Sequence, residues 1–474
     1  MGVVSPSDDE LESQAGVVQQ EEDESGTQWF TRLQQWHSDN NNALVHTALD
    51  SHRRDMFMSY PMTPGQPSMA SIDEYIYTQR QEELCLHITP DANHPALSVL
   101  IPMAMQDTGL FRAFLAAAQS QYEWRRNRNP RNPQRSQAMI MIQNDAIATL
   151  QKRLSQPAAH LDDGVIMSVL HLMVADSCSM DLPALKLHLK GVRQILALRG
   201  GLSDTPAHLA LRAILATNEF YIALGQYLQL SPDDLSTVPM QPITYVQHPF
   251  PSEVTRDLAK LPVGLAEAAL SGQLSVRCMR MLSNLAQWAH LANIQASSTE
   301  DAMMRYCRLF CEPREFARDA VMLLLDLRRS NIPPGLEHVV CLGLAIIVRH
   351  LSGQNRTNIF DHASLTALMA NVKAIDTPSV AESEVIIWLA LVINWRAHTA
   401  GGVPAADDLL DYVLDSFPAA RSWKGITKIC RKFWWFGRLE QQWKLYWQRG
   451  LDRVKSRSSG SRLLERQALN LVQR

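Results

Sequence analysis

No cysteine occurs before Cys85, and the seven present, Cys85, Cys178, Cys278, Cys307, Cys311, Cys341 and Cys430, are scattered and odd in number. That excludes a disulfide framework and points to a reducing intracellular compartment. No apolar run reaches the roughly 20 residues of a membrane span; residues 342–348 and 385–392 are too short and read as buried helices. The N-terminus has no basic stretch leading into an apolar one, so no secretory signal is expected. Neither sign of charge dominates: the formal net charge is −3 over 474 residues, unlike the basic footprint of a nucleic-acid binder. Sustained apolar–polar alternation is missing as well, which argues against sheets. Glycine and proline, 21 and 24 residues, are at ordinary levels, which excludes a mostly disordered chain. There is no P-loop, dinucleotide fingerprint, GxSxG elbow or HExxH, and His87, His171, His188, His290, His338 and His350 are dispersed without motif partners. No catalytic, cofactor-binding or metal-binding residue is therefore assigned.

What is present is helical periodicity and enough apolar residue, 46 %, to bury a large core, with length suggesting two or three domains. Leu97, Leu100, Ile101, Met103 and Met105 precede a break at 106–109. Leu110, Phe111, Phe114, Leu115, Ala118 and Tyr122 form the next stripe, and Met139, Ile142, Ala146, Leu150 and Leu154 another. Asp162-Asp163-Gly164 opens the apolar run 165–174 as an acidic helix start. Further helices are expected over 207–227, 264–270, 274–292, 301–329, 337–351, 362–373, 379–398 and 407–416, broken at Pro239, Pro242, Pro249 and Pro251 and at 331–335. The fold class is all-α, a multi-helix body of helical hairpins. The first segment differs: Asp8, Asp9, Glu10, Glu12 and residues 21–24 are acidic before any Lys or Arg. Residues 1–27 are expected to be a disordered acidic tail, 28–450 the helical domain and 451–474 a basic C-terminal tail.

The most informative stretch is 188–202, HLKGVRQILALRGGL. Leu185, Leu189, Val192 and Leu196 make one apolar stripe, and Gly200 and Gly201 supply the positive φ that ends a helix. Gly191 inside the helix costs roughly 1 kcal/mol against Ala, and the expected compensation is close approach of another backbone. Gly191, Arg199, Gly200 and Gly201 are the structural motif. This segment closely resembles the helix-then-RGG element in the regulatory domain of fungal zinc-cluster transcription factors. His94-Pro95-Ala96-Leu97 and residues 110–118 are similar to the early helices of that domain. Residues 423–447, WKGITKICRKFWWFGRLEQQWKLYW, look like its closing helix, and Asn218-Glu219 stands where relatives commonly carry an acidic residue.

The resemblance covers about His94 to Arg449, but not the DNA reader, whose closely spaced zinc-binding cysteines have no counterpart here. It implies a regulator of fungal genes in the nucleus, with a share in the cytoplasm as the alternative, and a secondary-metabolite gene cluster as the expected target. Its action would run through protein partners, as a homodimer or on a DNA-bound factor, and some relatives sense small apolar ligands such as sterols. Trp423, Phe433, Trp434, Trp435 and Trp443 either pack the chain's end onto the body, the preferred reading, or line a partner groove. Three weaker readings are set against structural ones. Arg125, Arg126, Arg128, Arg131 and Arg135 could meet phosphate but read as a solvated linker. Cys307 and Cys311, one helical turn apart, are too few for a structural zinc site. Asp407-Asp408-Leu409-Leu410-Asp411 spells the DDxxD of terpene synthases, the enzymatic alternative, but reads as an acidic helix start.

Overall fold

Several helices begin where the sequence supplies a cap. Ser136 Oγ accepts from Met139 N, Asp162 from Gly164 N, Asp181 from Ala184 N, Thr205 Oγ1 from His208 N and Ser422 Oγ from Gly425 N. Ser379 and Glu382 cap each other's backbone N–H reciprocally, at 2.7 and 3.3 Å. The computed structural model describes residues 61, 66–86, 96–126, 135–229, 240–293, 299–351, 359–399, 404–435 and 437–472. The acidic segment 1–27, the expected start of the helical domain at residue 28, Arg128 and Arg131 lie outside the described residues. By contact the chain divides into two units. The smaller is Met1–Ser59 with Arg438–Gln442, of which only Arg438–Gln442 is described; the larger, Tyr60–Gly437 with Trp443–Arg474, is the helical body.

Seventeen α-helices and no strand occur among the described residues. They are α1 (Gln66–Leu86), α2 (Ile101–Gln106), α3 (Thr108–Arg126), α4 (Gln137–Leu154), α5 (Asp163–Cys178), α6 (Leu182–Arg199) and α7 (Pro206–Tyr227). There follow α8 (Ser252–Leu258), α9 (Val263–Leu270), α10 (Val276–Asn293), α11 (Thr299–Arg329), α12 (Leu336–Leu351), α13 (Ile359–Lys373), α14 (Val380–Thr399), α15 (Pro404–Ser416), α16 (Trp423–Cys430) and α17 (Glu440–Val472).

Two helices are apolar nearly all round and form the interior of the two halves of the body, as such helices must. In α5 every residue from Gly164 to Met173 is buried, and α3, α4, α6 and α7 pack around it. In α14 the run 385–397 is buried, and α9, α12, α15 and α16 surround it. The long pair α7 and α11 joins the halves, and α10 and α12 flank α11. The aromatic end is not one helix. α16 stops at Cys430 and the chain turns before α17, because Phe433 is drawn inward: its ring stacks on Trp388 at 4.9 Å and 9°. A Cβ on Gly264 would stand 2.4 Å from that ring, and Gly264 N donates to the Lys432 carbonyl at 2.9 Å, so α9 sits directly over the turn.

His171 lies in α5 with its ring edge-on to Phe114 at 5.7 Å, and its Nε2 has no hydrogen-bond partner. Burial drives its pKa down to about 4, and does the same to His338 on α12. The unfolded chain titrates these rings near 6.5, so between about pH 4 and 6.5 it binds more protons than the folded one. Stability therefore falls as pH falls through that window. Replacing His171 with Leu is expected to shrink the stability loss between pH 7 and pH 5 by about 2 kcal/mol, read by urea unfolding at the two values.

Candidate functional site

The segment 188–202 lies on α6 and the turn that follows, and its polar residues reach three places. At the C-terminal end Gly200 (φ +86°) and Gly201 (φ +99°) turn the chain, and both N–H groups donate to the Leu196 carbonyl, at 3.1 and 3.0 Å. Arg199 then reaches back to the start of α5, Nη1 to Asp163 Oδ1 at 2.5 Å. His208, at the start of α7, completes this joint. Its Nδ1 accepts from Ser203 N at 3.0 Å, and its Nε2 lies 3.0 Å from Arg199 Nη2 and 3.2 Å from Asp163 Oδ1. Asp163 thereby ties the end of α6 and the start of α7 to the start of α5.

The middle of the motif uses His188 and Arg193. His188 Nδ1 meets Asp176 Oδ2 at 2.7 Å near the other end of α5. Asp176 is fully buried and also accepts from Gln143 Nε2 at 2.9 Å, with Arg135 Nη2 at 3.6 Å. Arg193 reaches Glu219 on α7 at 2.7 Å, and Arg318 of α11 approaches the same carboxylate at 3.4 Å. Glu219 is thus a three-helix junction, and neighbouring Asn218 is buried, donating to the Ile214 carbonyl at 2.9 Å.

Beside the joint lies a second polar cluster that the sequence does not announce. Arg153 of α4 binds Asp107 at 2.7 Å and Asp162 at 2.5 Å, the residues that cap α3 and α5. Burial works against its charge, but the hydrogen bond to Asp162 and the field of Asp107 outweigh burial and raise its pKa. A Cβ on Gly109 or Gly164 would come within 3.0 or 2.8 Å of the Arg153 guanidinium, so the two glycines make room for it. The signal available in sequence was an Asp before each of two helices, with a glycine two residues on.

Gly191 corrects the expectation placed on it. Among the described residues nothing lies within 4 Å of a Cβ built there, so none of their backbone approaches it. It lies opposite the stripe formed by Leu185, Leu189 and Val192, which is the face that packs. Gly191→Ala is expected to raise stability by about 0.5–1 kcal/mol, measured by thermal unfolding, since only the helix propensity changes.

The aromatic residues separate into two groups. Phe433 (5 % exposed) and Trp443 (1 %) are interior, which removes them from any open groove; Trp423, Trp434 and Trp435 are half-buried. Trp435 packs edge-on against Trp443 at 4.6 Å, and Trp423 lies 5.4 Å from Trp447. The basic loop is spoken for where it is described. Arg125 and Arg126 face Glu74 of α1, at 3.8 and 3.6 Å, and Arg135 binds Asp181 at 3.0 Å. Cys307 and Cys311 sit in an apolar cluster with Leu209, Ala213 and Phe310, and burial pushes the two thiols up to about 11 and 12. The acidic motif faces cations of its own chain: Asp407 takes His398 at 2.8 Å and Arg453 at 2.9 Å. Asp411, 1 % exposed, is held by Arg453 and Arg457, while Asp408 faces solvent away from them. A diphosphate-bound magnesium would have to displace those guanidinium groups.

Residues 82–242 match the family described as the fungal specific transcription factor domain. The match takes in the α6 joint and both polar clusters, and stops before the aromatic end. No curated protein and no solved structure matches the chain.

Proposed function

We propose that this chain, which carries a fungal-specific transcription factor domain at residues 82–242, regulates transcription of fungal genes from the nucleus by engaging protein partners. A secondary-metabolite gene cluster is the proposed target. The observation that carries the reading is the joint itself. Arg193, Arg199 and His188 fasten α6 to α5 and α7 at three separate points. These are structural ion pairs, which supports reading the matched region as an interaction scaffold. These 474 residues hold no cluster of closely spaced cysteines of the zinc-binding kind, which supports the reading that this chain acts through partners.

Transcript profiling after deletion of the gene tests this. A coordinated loss of a linked set of transcripts is the expected result. Unchanged transcripts with a missing or accumulated metabolite would overturn it and move the enzymatic alternative forward.

A further inference from the structure

Helix α6 carries leucines on two opposite faces. One carries Leu185, Leu189 and Val192, all at most 6 % exposed, against the body. The other carries Leu187, Gly191, Gln194 and Leu198, whose i, i+4, i+7, i+11 spacing confines them to an arc of roughly 60°. Leu187 is 69 % and Leu198 is 73 % exposed, and the position over Gly191 is open. Single exposed leucines need no explanation. Here two of them bracket a glycine on one row of a helix that His188, Arg193 and Arg199 fasten to α5 and α7. A residue without a side chain, at the centre of such a row, lets a second helix come close while the flanking leucines grip it.

The charge on α6 says what kind of helix fits. It carries Lys186, Lys190, Arg193 and Arg199 and no acidic residue. Lys186, Lys190 and Arg193 follow one another along the same flank of the exposed row, and Arg193 stays half-exposed although it touches Glu219. Two copies of α6 laid face to face would bring like charges together, which disfavours self-association through this face. We propose that the outer face of α6, over Gly191 between Leu187 and Leu198, docks an amphipathic helix with an acidic flank from a partner protein. The proposal rests on the regulatory reading above and names its contact surface.

The test uses the full chain and a synthetic amphipathic helical peptide with a leucine–alanine face and glutamate flanks. A twin with lysine flanks is the control. Two variants are made, Leu187→Ser with Leu198→Ser, and Gly191→Leu. Because the space at Gly191 is empty, Gly191→Leu is expected to unfold no earlier than the wild type, while blocking close approach. The expected result is binding of the glutamate peptide by fluorescence anisotropy, weakened about tenfold or more in both variants, with the lysine twin inert. Equal binding of the two peptides, no binding of the glutamate peptide, or undiminished binding to the variants overturns the proposal. So does a dimer of the wild type that either variant dissociates, since the occupant is then a second copy. In the fungus, the Gly191→Leu allele is expected to reproduce the transcript changes of the deletion at normal protein level. If the deletion changes transcripts and the allele does not, the surface is wrong and the regulatory reading stands. If the deletion changes nothing, that reading fails and the peptide result alone decides the surface.

Discussion

Trp443→Ala is expected to cost the fold about 3–5 kcal/mol, the range for removing a large ring from a closed core. Trp443 is 1 % exposed, packed edge-on by Trp435 at 4.6 Å and by Trp395 of α14 at 6.0 Å. Little room exists for collapse, because the neighbours are themselves fixed: Trp447 Nε1 donates to the Ala420 carbonyl at 2.9 Å. Equilibrium urea unfolding of the wild type and the variant gives the difference directly. A loss under about 1 kcal/mol would mean an accessible ring and would restore the partner-groove reading of this cluster. Trp434, half-buried and only tilted against Trp388 at 5.8 Å, serves as the internal control and is expected to lose less.

Asp176→Ala is expected to destabilise the domain by about 3–5 kcal/mol. The carboxylate is fully buried, and its removal strands Gln143 and His188, both directed at it from α4 and α6. The cost is one of unmet partners in a dry site rather than of a lost attraction alone. His188→Leu is the partner variant. The two together are expected to cost at least about 1 kcal/mol less than the sum of the singles, as for groups sharing one network. Additive losses would show that His188 does not act through Asp176 and that the motif's middle is not fastened to α5.

The two effects trace to different features of the sequence. The packing of Trp443 was open to inference from an aromatic-rich segment near the chain's end, because large rings usually seek the interior. Asp176 gave no such sign. It stands in the run ending α5, and its partners lie 33 residues before it, at Gln143, and 12 after it, at His188. Only the folding of α4 and α6 onto α5 brings them together. The same holds for Arg153, whose two carboxylates cap different helices, and for Asp407 and Asp411, whose spacing suggested a metal motif until α17 delivered Arg453 beside both.

The sequence by itself determined the helical class, most helix boundaries and the end of α6. These are local matters: apolar period, side-chain caps and a glycine pair act within a few residues of the backbone they control. It also determined which stripe of α6 faces the body, since Leu185, Leu189 and Val192 are buried as their spacing requires. Only the tertiary structure decided which polar residues meet, that Phe433 breaks the aromatic segment in two by turning under Gly264, and that Gly191 looks outward. Those outcomes depend on groups far apart in the chain, whose free energy of contact does not exist until the helices have packed.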